Sequence, residues 1–149
     1  MIPGVYLAGP VRNLDDSGSE WRDKVEDAGQ DWFTFYNPLD KYDVRADNLE
    51  VVDEVVPMSE SEKKVSIQSI VEADKEMVDM CDVVLVGHKD VQMIGTPMEV
   101  MYAFDSDVPI VIWDMDNVGE ENMSPWFRFH ADYVEEELMD VLMALAIVT

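Results

Sequence analysis

Short apolar runs alternate along the chain with longer stretches in which apolar residues recur every three or four positions. The first pattern, when bounded by Gly, Pro or Asn, predicts buried strands; the second predicts amphipathic helices. Gly4–Gly9 (GVYLAG), Trp32–Tyr36 (WFTFY), Asp82–Gly87 (DVVLVG) and Val108–Trp113 (VPIVIW) are of the first kind. A helix is predicted from Ser19, a good N-cap, through about Ala28, with Trp21, Val25 and Ala28 on one face and Gly29 as its stop. Further helices are predicted over Val65–Met80, Thr96–Asp105 and Tyr133–Ala146, the last with Val134, Leu138, Val141, Leu142 and Leu145 on one face. Leu39–Lys64 is acidic and contains Pro57 and the polar run SESEKK, so it predicts a long loop with at most a short helical turn. Asp114–Ser124 also predicts a loop.

Strands alternating with helices predict one α/β domain over residues 1–149: a doubly wound, three-layer sandwich with a mostly parallel sheet, flavodoxin/Rossmann-like. Such sheets bind ligands beyond the carboxyl ends of their strands. That directs attention to the segments after Gly9, Asn37, Gly87 and Trp113.

Composition changes the picture in one respect. Of 149 residues, 48% are hydrophobic, enough for a real core, yet 33 are Asp or Glu and only 10 are Lys or Arg, a formal charge of −23. Such a chain repels a phosphate polymer and an anionic membrane surface, which argues against nucleic-acid and membrane partners. No apolar run approaches the roughly 18 residues of a membrane span. The N-terminus MIPGVYLAGP has no basic region of the signal-peptide kind, and the single Cys81 forms no internal disulfide, so a reducing cytoplasm is expected. The acids are spread through the chain, as expected of a surface adapted to high salt; a functional acidic surface is the other reading.

Few residues stand out chemically. Asp74 falls on the same helix face as Ile67, Ile70, Val71, Met77 and Val78. A carboxylate in an apolar stripe is costly unless it is paired or lines a cavity, so Asp74 either serves a neighbouring loop or edge, or serves a site. Thr96, Pro97 and Glu99 match the N-cap, N1 and N3 positions of a capping box. Glu99 also sits at a strand-to-helix crossover, where a carboxylate can act as nucleophile toward an electrophilic carbon. Tyr6 lies in the first strand and reads as core. Arg12 follows the Gly9-Pro10 turn, available to an anion or to a surface acid. His88, His130 and Cys81 show no metal-ligand spacing, and no GxGxxG, P-loop or GxSxG pattern occurs.

In order along the chain stand Tyr6-Leu7-Ala8-Gly9-Pro10, Asn37-Pro38-Leu39-Asp40, Asp74 with Asp82 opening a buried strand, Gly95-Thr96-Pro97-Met98-Glu99 with Tyr102-Ala103, and Ser124-Pro125-Trp126 with Arg128 and His130. Together these resemble the nucleoside 2-deoxyribosyltransferase family. The resemblance implies cleavage of the N-glycosidic bond of 2'-deoxynucleosides through a covalent deoxyribosyl-glutamate, with transfer of the sugar to another free base. It implies Glu99 as nucleophile, Asp74 as the residue assisting protonation of the leaving base, and Tyr6 as the residue orienting the nucleophile. Gly9, Arg12, Asn37, Met93, Gly95 and Thr96 would line the substrate. Asn122 and Ser124 would reach a neighbouring subunit's site in a homodimer or higher oligomer. No metal and no organic cofactor is implied.

The implied chemistry suits these residue types. An oxocarbenium-like transition state is stabilised by a nearby carboxylate, and the departing base needs a proton from a second carboxyl group in a drier place. One departure bears on the substrate. Typical family members carry an aspartate six residues before the nucleophile; here that position is Met93. The related nucleoside 5'-monophosphate N-glycosidases also lack an acid there, since a carboxylate would repel the 5'-phosphate. Nucleotide hydrolysis is therefore the alternative, and a non-catalytic nucleotide-binding domain on the same fold is a third reading.

Overall fold

The structure is a computed structural model that describes residues 1–11, 14, 16, 18–41, 50–53 and 64–149. Among the described residues the strands are β1 (Gly4–Ala8), β2 (Thr34–Tyr36), β3 (Glu50–Val52), β4 (Lys64–Ser66), β5 (Val83–His88), β6 (Ile110–Asp114) and β7 (Tyr133–Glu135). The α-helices are α1 (Ser19–Gly29), α2 (Ile67–Met80), α3 (Gly95–Asp105), α4 (Pro125–His130) and α5 (Leu138–Val148). Five strands form one sheet in the order β2-β1-β5-β6-β7, parallel throughout, and β3 pairs β4 in a separate parallel ribbon. This is the expected α/β sandwich of flavodoxin/Rossmann-like architecture.

Chain order reverses direction across the sheet between β1 and β5. Right-handed crossovers to the left and to the right of β1 place their helices on opposite faces. Alternation along the strands fills the two layers. Val5, Leu7, Val83, Leu85, Val111 and Trp113 face one core with Trp21 and Val25 of α1 and Val141, Leu142 and Leu145 of α5. Tyr6, Ala8, Val84, Val86, Ile110 and Ile112 face the other, with Val78 of α2, Val100 and Ala103 of α3 and Phe127 of α4. Aspartates set the strand starts. Asp82 Oδ2 accepts from Gly4 N at 2.7 Å, and Asp132 Oδ2 accepts from Ile110 N at 2.8 Å. Cys81 is buried in the second core, where burial pushes its thiol up to about 12, an inert filler.

Several expectations need correction. The helix expected from Val65 begins at Ile67, because Ser66 caps it by accepting from Ser69 N at 3.0 Å and Lys64–Ser66 are already committed to β4. Tyr133–Glu135, expected inside the last helix, form edge strand β7, where an aromatic and a β-branched residue pair with β6. Helix α5 starts only at Leu138. Helix α4 falls where no element was expected; Ser124 as N-cap and Pro125 in the first turn are its signal. Ser19 is the first residue of α1, not its cap. Gly18, at φ +82°, is the N-cap, and the Asp16 carboxylate accepts from Gly18 N and Glu20 N at 2.9 Å each. The Leu39–Lys64 stretch holds a 3₁₀ turn at Pro38–Lys41 and β3; its residues 42–49 and 54–63 lie outside the described residues. Among the described residues, no helix is long and apolar enough to cross a membrane.

Candidate carboxylate site at the sheet crevice

The switch between β1 and β5 makes the crevice that doubly wound sheets offer to ligands. Tyr6 projects from β1 into the α2–α3 layer and is fully buried. Glu99 of α3 and Asp74 of α2, both half-buried, bring their charges to bear on its hydroxyl. Burial first, then the charge of Glu99, then that of Asp74, raise the phenol far above the ordinary tyrosine range. Glu99 holds the phenolic proton in a loose contact, since the hydroxyl has no partner of strict hydrogen-bond geometry among the described residues. Such contacts commonly tighten only when a ligand arrives. Three residues 25 or more positions apart in sequence thus form one electrostatic unit.

The expected capping box does not form. Helix α3 opens at Gly95 with Ile94 as its N-cap and no side-chain cap. Thr96 and Pro97 are then the second and third helical positions, and Glu99 lies in the second turn. Thr96 is buried. A Cβ at Gly95 would meet only Glu99 Oε1, at 4.0 Å, so the glycine leaves space in front of that carboxylate. The expectation of Asp74 in a buried stripe is also corrected. Of that face only Val78 is buried, while Ile67 and Val71 are exposed.

The remaining expected residues divide. Gly9 closes β1, and a Cβ there would come within 2.6 Å of the Trp21 ring. Gly87 stands in the same relation from β5, at 2.5 Å. The two glycines therefore let the Trp21 indole lie against the backbone of both central strands. Asn37 is buried at the end of β2, where Oδ1 accepts from Leu39 N at 3.0 Å and the side chain also bonds Glu26; it serves the turn. Met93 is half-buried against the α2–α3 core. Asn122 and Ser124 are exposed before α4; Asn122 donates to Val118 O at 2.9 Å, and Ser124 Oγ accepts from Trp126 N at 3.3 Å. Arg12 lies outside the described residues.

Sequence reasoning missed Arg22. It is only 1% exposed and gives its hydrogen bonds to the carbonyls of Gly18 at 2.9 Å, Gly9 at 3.2 Å and Leu7 at 3.4 Å. An arginine directly beside the buried Trp21, in a chain with so few cations, was the available signal. His88, also missed, is buried at the end of β5 edge-on to Phe127, and burial lowers its pKa against the opposing pull of Asp114, Asp116 and Asp90.

The fold is shared. The chain is similar to a conserved protein from Enterococcus faecalis V583, with a TM-score of 0.65, 17% identity and all of both chains covered. At that identity the likeness shows the fold alone. No family model and no curated protein matches the chain.

Two surface cavities adjoin the carboxyl edge of the sheet. One, of about 230 Å³, is lined by Leu14, Asp16, Glu20, Trp21 and Lys89. The other, of about 300 Å³, is walled largely by carboxylates, including Asp114, Glu135, Glu137 and Asp140, and is hostile to an anion. Among the described residues, no group of three or more His, Cys, Asp or Glu is placed to hold a metal.

Proposed function

We propose that the protein cleaves the N-glycosidic bond of 2'-deoxynucleosides and passes the sugar to another free base. The observation that carries this reading is the convergence of Tyr6, Asp74 and Glu99 at the switch-point crevice. Glu99 attacks the anomeric carbon as the C–N bond breaks. The electron pair leaves with the base, which takes a proton from Asp74, and a deoxyribosyl ester remains on Glu99. A second base attacks the same carbon, returns a proton to Asp74 and frees the carboxylate. Tyr6 orients Glu99 through its hydroxyl.

The proposal includes a homodimer or higher homo-oligomer formed through α3 and α4. Ile94 (72% exposed), Met98 (69%), Trp126 (60%) and Phe129 (73%) stand open there. Residues 91–104 and 122–131 contain a single carboxylate, Glu99, in a chain with 33 acids. A second copy of so acidic a chain is repelled little at this face, and burying it removes an apolar patch from water. Asn122 and Ser124 lie at its margin in sequence and would be contributed to the neighbour's site.

Met93 supports a second reading, hydrolysis of nucleoside 5'-monophosphates, because no carboxylate stands there to repel a phosphate. One assay separates the readings. The protein is incubated in multimolar salt with 2'-deoxynucleosides, with and without 5'-phosphate, plus a different free base, and the products are resolved chromatographically. A new deoxynucleoside supports transfer. Free base released only from the phosphorylated substrate supports hydrolysis. No product from either, with Glu99→Ala binding ligands as the parent does, overturns both and leaves a binding domain.

A further inference from the structure

A buried guanidinium needs a reason. Three main-chain carbonyls satisfy the Arg22 fork, from Leu7 and Gly9 around the end of β1 and from Gly18 before α1, and its Cζ lies 4.6 Å over the Trp21 ring. Carbonyls accept its protons but do not neutralise its charge. A cation this deep requires a counter-charge. The charges that bear on it come from Glu99 of α3, Tyr6 of β1, Asp16 of the segment before α1 and Asp74 of α2, with Glu99 foremost. Three of the four are the members of the proposed site.

We propose that Arg22 is the positioning residue of that site: it pins the carboxyl end of β1, and Tyr6 with it, and supplies the fixed positive charge against which Glu99 stays ionised. This rests on the reading of Glu99 as nucleophile. Arginine suits the task where lysine does not, because a planar fork reaches several carbonyls at once and keeps its proton when desolvated. Burial lowers its pKa to about 10, so it remains a cation through the neutral range. The Gly18 backbone is shaped to it; a Cβ there would come within 2.4 Å of a terminal guanidinium nitrogen.

The test compares Arg22→Met and Arg22→Lys in the full chain. Arg22→Met removes the charge and should move the acid limb of the kcat/KM pH profile upward by about one pH unit or more. Arg22→Lys keeps the charge and should lower kcat/KM while leaving that limb in place. A folded Arg22→Met protein whose limb does not move reduces Arg22 to a brace and overturns the proposal. A second measurement needs neither turnover nor the Met variant. The guanidinium ¹³Cζ of Arg22 is titrated by NMR in the parent and in Glu99→Gln. Loss of the Glu99 charge should lower its titration point; an unchanged curve overturns the pairing. A lowered curve with no turnover of any nucleoside upholds the pairing and removes the proposed activity instead.

Discussion

Replacing Tyr6 by phenylalanine should make the protein more stable and less active. The side chain is fully buried under the α2–α3 layer, and phenylalanine keeps every ring contact. Only the hydroxyl is lost, and among the described residues its partnership is the loose contact with Glu99. A buried polar group short of proper hydrogen bonding costs about 1–3 kcal/mol, so removal, less the loose contact, should gain about 1 kcal/mol. In a chain of 149 residues that corresponds to a melting temperature about 2–4 °C higher. The same deletion leaves Glu99 unaligned, and misplacement of a reacting group is expected to lower kcat by about 10- to 100-fold.

The pH dependence supplies an internal check. A phenol raised above its unfolded value of 10.0 contributes stability that is complete below that pH and lost as pH rises beyond it. Tyr6→Phe should lack that part of the alkaline loss. The assays are thermal melts in multimolar salt across pH 7 to 11 and initial rates of base release. A variant as active as the parent refutes the orienting role. A variant destabilised by more than about 1 kcal/mol refutes the claim that the hydroxyl is poorly satisfied, since that is the cost of a lost, well-made hydrogen bond.

Gly87→Ala drives a Cβ to within 2.5 Å of a rigid indole and should destabilise by about 1–3 kcal/mol, with partial rescue by Trp21→Leu in a denaturant double-mutant cycle. His88 titrates below its unfolded value in the native state, so it contributes stability that is present above about pH 6.5 and is lost as pH falls below it. Unfolding curves at successive pH values should flatten in that window for His88→Leu, and coincident slopes for parent and variant would remove the assignment. Phe129→Glu places a charge on the most open aromatic of the α4 face and should shift light-scattering mass to that of a monomer; unchanged mass would move the interface elsewhere.

What could be read from the chain and what could not differ in kind. Strands β1, β5 and β6 were legible because each is a short apolar run bounded by turn residues and buried on both faces. Strand β7 was not, because Tyr133-Val134 is two residues of strand signal followed by three glutamates, and a helix period runs through the same positions. The α2 stripe shows the limit of periodicity. Spacing specifies that Ile67, Val71 and Val78 share a face, but not what covers it, and here Ile67 and Val71 stand open while Val78 is buried. Tyr6, Asp74 and Glu99 could be named singly, yet only topology brings β1, α2 and α3 together.

Arg22 was harder to read, for a deeper reason. Its partners are main-chain carbonyls, which exist at every position, so no pattern of side chains announces them. The acidity of the chain obscured it further. Against 33 carboxylates an arginine reads as one more surface charge seeking a partner. The physics runs the other way: a surface saturated with acid needs no buried cation, so a cation that is buried answers to an internal charge. Of the charges that bear on it, Asp16 already serves the start of α1, Tyr6 is held protonated and Asp74 is the proposed proton donor, which leaves Glu99, the foremost of them, as the charge it balances. The net charge of −23 therefore describes the surface, whereas the chemistry proposed here turns on one buried cation set against the carboxylate of Glu99.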